Sequence, residues 1–252
     1  MSRRDAQEAI LSAALRRAAA AAPAGVVVLD LDSTLLDNRP RQARILQDYG
    51  RVAGVPALLD ARPEHWEGWD LRVALRNAGL SPSEVAAHAG PARRFWADWF
   101  FTNAYCRLDA AIAGAGDFVR ALARSGAVIA YVTGRPSSMR EGTLHVFRRE
   151  GFPAPDGAGA HLVMKDDLSL GDDAWKELAA TRVERLGPVV AAFDNEPAHV
   201  NLYARRWPRA LVVHLATDHS GRPIAPLPGI PAIADFRGEL SDAAASATAG
   251  AP

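Results

Sequence analysis

The 252-residue chain lacks most of the features that would narrow its chemistry at once. It has a single cysteine, Cys106. An intrachain disulfide and a cysteine-cluster zinc site are therefore excluded. A lone cysteine beside an aromatic residue in a helical stretch reads as a small buried apolar side chain. Such sparse cysteine fits a reducing compartment, and a cytoplasmic location is expected. No run of about 18 apolar residues occurs, so neither a transmembrane helix nor a membrane partner is expected. There is no excess of either charge, with Lys plus Arg 29 and Asp plus Glu 29. Nucleic-acid binding, which rests on a basic excess, is not expected. Lysine itself is almost missing: among the 29 basic residues only Lys165 and Lys176 are lysines. Arginine and alanine richness together look like a coding bias, but the bias has a use. Any mechanism that needs a lysine has two candidates. No Walker loop, no Gly-x-Ser-x-Gly elbow and no His-Glu-x-x-His occurs. Oligomeric state leaves no mark in the sequence.

What is present is enough for a globular core, with 49% hydrophobic and 23% charged residues. The length suits one domain carrying an insertion. Val26 to Leu31 is a short, β-branched, almost wholly apolar run, the pattern of a strand buried on both faces. Runs of the same character lie at 127–132, 161–164, 189–193 and 210–215. Helical stretches separate them at 117–124, 137–150, 172–186 and 198–206. Strands alternating with helices predict an α/β fold with a doubly wound, mainly parallel, Rossmann-like sheet. Ligands of such sheets bind outside the carboxyl ends of the strands. The first 22 residues are basic and Ala-rich; Arg16 and Arg17 interrupt the apolar run, so an amphipathic helix is expected rather than a targeting peptide.

One crossover breaks the alternation. Residues 37–113 show no convincing strand and are too long for a single connection. Helical patterns at 41–52, 64–77, 83–88 and 92–105 are punctuated by Pro40, Pro56, Pro63, Pro82 and Pro91. The segment reads as an inserted all-helical subdomain, leaving 1–36 and 114–240 as the core. Trp66 with Trp69, and Trp96 with Trp99, have i, i+3 spacing and are expected to share helix faces. They form either the insert's own core, the favoured reading, or an aromatic wall over a pocket. Residues 220–240 read as irregular, and 241–252 as a disordered tail.

Acids at strand ends carry the chemistry. Asp30 and Asp32 close the first strand in Val-Val-Val-Leu-Asp-Leu-Asp-Ser-Thr. Buried charges there need a metal, a partner or a function. A pair of this kind can divide the roles of nucleophile and proton carrier. The second strand ends in Thr133-Gly134-Arg135, where a hydroxyl and backbone N–H groups can hold a phosphate. The fourth ends in Asp194-Asn195-Glu196. With Asp30 and Asp32, Asp194 makes an oxygen-rich site suited to Mg²⁺. Asn38 and its neighbours Asp37, Arg39, Arg41 and Arg44 are placed to meet a polar substrate part at the hinge of the insert, or simply to start a solvated helix.

These motifs, in this order over residues 25–200, resemble the haloacid dehalogenase superfamily of phosphohydrolases, with the insert similar to a C1-type helical cap. The resemblance implies Mg²⁺-dependent hydrolysis of a small phosphorylated substrate. It implies Asp30 as nucleophile, Asp32 as general acid/base and Thr133 with Gly134 on the phosphoryl group. Asp30, Asp32 (through its carbonyl) and Asp194 are the implied metal ligands. The family's lysine is Lys176 or Lys165, Lys176 being preferred at the helix that leads to the fourth strand. The fourth motif departs from the common pattern, leaving Asn195 or Glu196 to supply a further oxygen. A phosphomutase, or a silent phosphate-binding module, is the alternative.

Overall fold

A computed structural model describes residues 2–155 and 159–239. The expected tail at 241–252 lies outside the described residues. The main sheet has six parallel strands: β1 (Val26–Leu29), β4 (Val128–Pro136), β5 (Ala160–Lys165), β6 (Val189–Asp194), β7 (Leu211–Leu215) and β8 (Ala232–Ile233). Their spatial order is β5-β4-β1-β6-β7-β8. Chain order therefore reverses between β1 and β6, and ligands of such sheets sit at that switch point. The sixth strand, β8, lies in the segment expected to be irregular. Its two residues are too few to carry a periodic signal.

The alternation along β1 sorts the core. Val27 and Leu29 join one hydrophobic cluster with Leu11, Phe118 and Phe147. These come from the helices α1 (Arg3–Ala21), α6 (Ala115–Arg124) and α7 (Arg140–Glu150). Val26 and Val28 join a second cluster with Trp175, Val183 and Tyr203, from α8 (Asp172–Val183) and α9 (Pro197–Arg206). Successive strand residues point to opposite faces, so both faces of the sheet are covered. The expected N-terminal helix is docked, with Leu11, Ala14, Leu15 and Ala18 buried, and a Ser2–Asp5 capping box starts it.

The long crossover starts and ends on a two-residue antiparallel ribbon, β2 (Leu36–Asp37) with β3 (Ala110–Ala111). Between them lie α2 (Arg39–Ala53), α3 (Leu71–Asn77), α4 (Pro82–Phe100) and α5 (Asn103–Cys106). They share a hydrophobic cluster built from Ile45, Leu46, Leu58, Trp66, Leu75 and Trp96 among others.

Two details differ from the sequence reading. Pro91 does not end a helix; α4 runs straight through it. The buried residues Val85 and Ala89 before it, and Ala92, Trp96 and Phe100 after it, lie on one helix. Burying that one face offsets the roughly 3 kcal/mol that an interior proline costs. Trp66 and Trp69 do not share a helix face. Trp66 caps a short 3-10 turn, and Trp69 sits in a left-handed conformation with φ 57°. Trp96 and Trp99 do share α4, yet Trp96 is buried and Trp99 is exposed.

Candidate active site

Parity along the strands places the acids. Asp30 follows Val28 on the α8 side of the sheet, and Asp194 follows Ala192 on that same side. Lys176, in the second turn of α8, reaches between them. Its Nζ donates to Asp30 Oδ1 at 2.7 Å and to Asp194 Oδ2 at 2.8 Å. All three side chains are buried. Burial pushes the Asp30 carboxyl up to about 7, against the pull of Lys176. Asp194 is buried too, but Lys176 and then His199 bring it well below the usual carboxylate range. The second oxygen of Asp30 has no hydrogen-bond partner among the described residues. Asp194 Oδ1 accepts from the backbone N–H of Glu196 at 2.9 Å.

Asp32 has a different environment. Arg135 grips both its oxygens, Nε to Oδ2 at 2.7 Å and Nη2 to Oδ1 at 2.8 Å. Arg41, from α2 of the insert, donates to Oδ1 at 2.7 Å, and Asn38 does so at 3.1 Å. Asp32 is also desolvated, but the two guanidiniums hold its carboxyl well below the ordinary range. Behind it lies Asp109, fully buried, 2.6 Å from Arg135 Nη2 and 3.0 Å from Arg41 Nε. Burial raises the Asp109 carboxyl to about 6 despite both arginines. Two acids and two arginines thus form one cluster, buried except for part of Asp32. The core supplies Asp32 and Arg135, and the insert with its return strand supplies Arg41 and Asp109.

The other expected residues divide. Gly134 lines the cavity at the site; Thr133 does not. β4 continues through Thr133, Gly134 and Arg135 to Pro136 rather than ending at Val132. Thr133 Oγ1 accepts from the backbone N–H of Arg135 at 3.2 Å. Asn195 and Glu196 line the cavity, but their side chains are engaged with the loop after β7. Asn195 donates to the Asp218 carbonyl at 2.5 Å. Glu196 accepts from the Ser220 N–H and hydroxyl, each at 3.0 Å, and from Arg222 at 3.1 Å. Lys165 bonds to neither Asp30 nor Asp194. It is buried, paired with Asp172 and bonded to the Leu170 carbonyl at 2.9 Å.

Three neighbours were not among the expected site residues. His199 lies with Nδ1 3.4 Å from Asp194 and Nε2 3.2 Å from Asp173; it is one of seven scattered histidines. Asp109 gives no sequence signal, being one acid between a helix and a two-residue strand. Thr34 is buried and ties the first strand end to the fourth by donating to Asn195 Oδ1 at 3.1 Å.

The strand-end acids and Lys176 line a cavity of about 630 Å³, within the range of small-molecule sites. The core side contributes Asp30, Asp32, Gly134, Lys176 and Asp194; the insert contributes Trp69, Arg93, Trp96, Phe100 and Phe101. No cluster of three or more acidic, histidine or cysteine side chains suited to a metal occurs among the described residues. Two carboxylates with hard oxygens still fit Mg²⁺, which is usually held by one or two carboxylates, waters and substrate phosphate.

This architecture is the haloacid dehalogenase-like fold, with the candidate site at the sheet's switch point. It is similar to a subfamily IA, variant 1, hydrolase of that superfamily from Geobacter sulfurreducens, with TM-score 0.52 and 17% identity over 85% of this chain and 94% of that one. It is also similar to CbbY from Rhodobacter sphaeroides, solved in complex with phosphate, with TM-score 0.50 and 15% identity over 86% and 96%. No protein-family model and no curated protein matches the sequence. No helix among the described residues is long and apolar enough to cross a membrane.

Proposed function

We propose that the protein is a Mg²⁺-dependent phosphatase that hydrolyses a small phosphomonoester through a phosphoryl group carried on Asp30. The observation that carries this reading is the buried Asp30–Lys176–Asp194 triad at the switch point, opening onto a cavity walled by the insert. Asp30 keeps one oxygen unbonded for attack on phosphorus. Lys176 neutralises charge on the nucleophile and on the incoming phosphate. Phosphoryl transfer needs mainly this kind of positioning and charge neutralisation. Asp30, Asp194 and the Asp32 carbonyl are the residues that would hold the ion. When bound, Mg²⁺ would offset the charge of the phosphoryl oxygens.

Asp32 is the proton carrier in this reading. It donates to the leaving alcohol, then takes a proton from the water that cleaves the acyl phosphate. The arginine clamp holds it as the anion. Its acid form therefore needs release by both guanidiniums: by Arg41, which would move off with the insert acting as the cap, and by Arg135, which grips both oxygens.

The test is phosphate release from a panel of sugar phosphates, nucleotides and aryl phosphates, in Mg²⁺ or in EDTA. Release is expected only with Mg²⁺ and not from Asp30→Asn. Release that persists unchanged in the variant would remove Asp30 from the mechanism.

A further inference from the structure

The substrate's organic part meets the insert's wall of the cavity. That wall is chemically narrow: Trp69, Arg93, Trp96, Phe100 and Phe101. None of these side chains accepts a conventional hydrogen bond; arginine and indole N–H groups only donate. On the core side, both oxygens of Glu196 are taken by Ser220 and Arg222, and Asp172 gives one of its oxygens to Lys165. A polyol would leave unmatched the hydroxyl donors that face this wall, which disfavours it there.

The rings are not equivalent. Trp96 and Phe100 stack on each other at 4.3 Å and 23°. Arg93 covers Trp96 at 4.6 Å, and Arg41 covers Phe100 at 3.9 Å. Both faces of this inner pair are therefore occupied, and it serves as backing. Trp69 and Phe101 meet the pair edgewise, at 71° for Trp69 with Phe100 and 84° for Phe101 with Phe100. Among the described residues no ring or cation stacks on Trp69 or Phe101. Both are half-buried at the cavity. Trp69 is also held at φ 57° directly after Gly68 at φ 63°, a backbone conformation that bulky residues rarely adopt. Arg93 makes no hydrogen bond or ion pair among the described residues. The other three cations of the cavity, Arg135, Lys165 and Lys176, are all committed to carboxylates.

We propose that Trp69 and Phe101, backed by the Trp96–Phe100 pair, form a leaving-group subsite that selects phosphomonoesters of a planar aromatic alcohol, with Arg93 meeting an anionic or carbonyl edge of the ring. This proposal rests on the phosphatase reading of the Asp30 site and names its substrate class. Stacking on an open aromatic face stabilises a planar ring over a saturated ring of similar size, and a guanidinium beside it adds directional donors.

The test uses non-hydrolysable probes. Benzylphosphonate and cyclohexylmethylphosphonate differ in planarity and little in size or charge. Titration calorimetry with the wild type in Mg²⁺ is expected to show benzylphosphonate binding roughly fivefold to tenfold tighter. The preference is expected to vanish in Trp69→Leu and to persist in Trp69→Phe, which keeps a ring and controls for loss of folding. A 4-carboxylate on the benzyl ring is expected to tighten binding in the wild type but not in Arg93→Ala. Equal affinity for the two phosphonates, binding of neither, or an unchanged preference in Trp69→Leu overturns the subsite. Phosphonate binding needs no turnover, so the two readings fail separately. Aromatic preference without phosphate release from any ester would overturn the phosphatase reading alone. Release without aromatic preference would overturn the subsite alone.

Discussion

Lys176→Met isolates the energetics of the site. The ammonium lies 2.7 and 2.8 Å from two buried carboxylate oxygens. At an effective dielectric of about 20, each attraction is roughly 6 kcal/mol gross. Desolvation of the three groups cancels most of that. What a substitution reads is the cost of leaving Asp30 and Asp194 buried and facing each other without a cation. Breaking a buried pair in this way costs about 3–5 kcal/mol. For a chain of this size that is a fall in Tm of roughly 10 °C. The assay is urea or thermal unfolding in EDTA at pH 8. Lowering the pH to 5 should recover much of the loss, because Asp30 then binds a proton and the negative pair is relieved. The double variant Lys176→Met/Asp30→Asn should recover it at pH 8 as well. A loss below about 1 kcal/mol in the single variant, or no recovery in the double, would refute the claim that Lys176 is the counter-ion of both acids.

Three further outcomes follow from the same geometry. Asp30 is raised from 3.8 to about 7, so the native state holds its proton more tightly than the unfolded chain. Its stabilising contribution is complete below about pH 4 and lost as pH rises through 7, a swing of about 4 kcal/mol. Metal-free Asp30→Asn should therefore be more stable than wild type at pH 8 and nearly equal at pH 4, measured by urea midpoints. Arg41→Met should cost about 3 kcal/mol by leaving Asp109 and Asp32 to share one arginine, and a double-mutant cycle with Asp109→Asn should show coupling above 1 kcal/mol. Gly114→Ala should lower Tm by several degrees. The residue has φ 79°, and a Cβ there would lie 2.4 Å from the Phe236 backbone, so strain of about 2–3 kcal/mol is expected.

The parallel sheet was legible because most of its strands are short, almost wholly apolar runs alternating with helical stretches, and Asp30, Asp32 and Asp194 stood out as acids ending such runs. The scarcity of lysine limited the counter-ion to two positions, and Lys176 is the one the structure places between the strand-end acids. Other features carried no local signal. Two-residue strands such as β2, β3 and β8 have no period to read. Pro91 looked like a helix boundary because its cost is local, whereas the burial that outweighs it depends on tertiary packing. The Asp32–Arg135–Arg41–Asp109 cluster joins residues as far as 103 positions apart in sequence. Spacing alone showed Arg41 as one of several arginines near a hinge and Asp109 as nothing at all. Trp69 and Trp96 seemed to belong to separate helix pairs, and only the fold brings them to one wall.

The central claim is that Asp30 takes the phosphoryl group. It is tested most directly by acid-quenching the enzyme within its first turnover on an aryl phosphate with Mg²⁺, then mapping modified peptides by mass spectrometry. The account predicts one phosphoryl group on the peptide containing Asp30, absent in Asp30→Asn and in EDTA. Turnover with no label on that peptide, or a label that survives in Asp30→Asn, would contradict it.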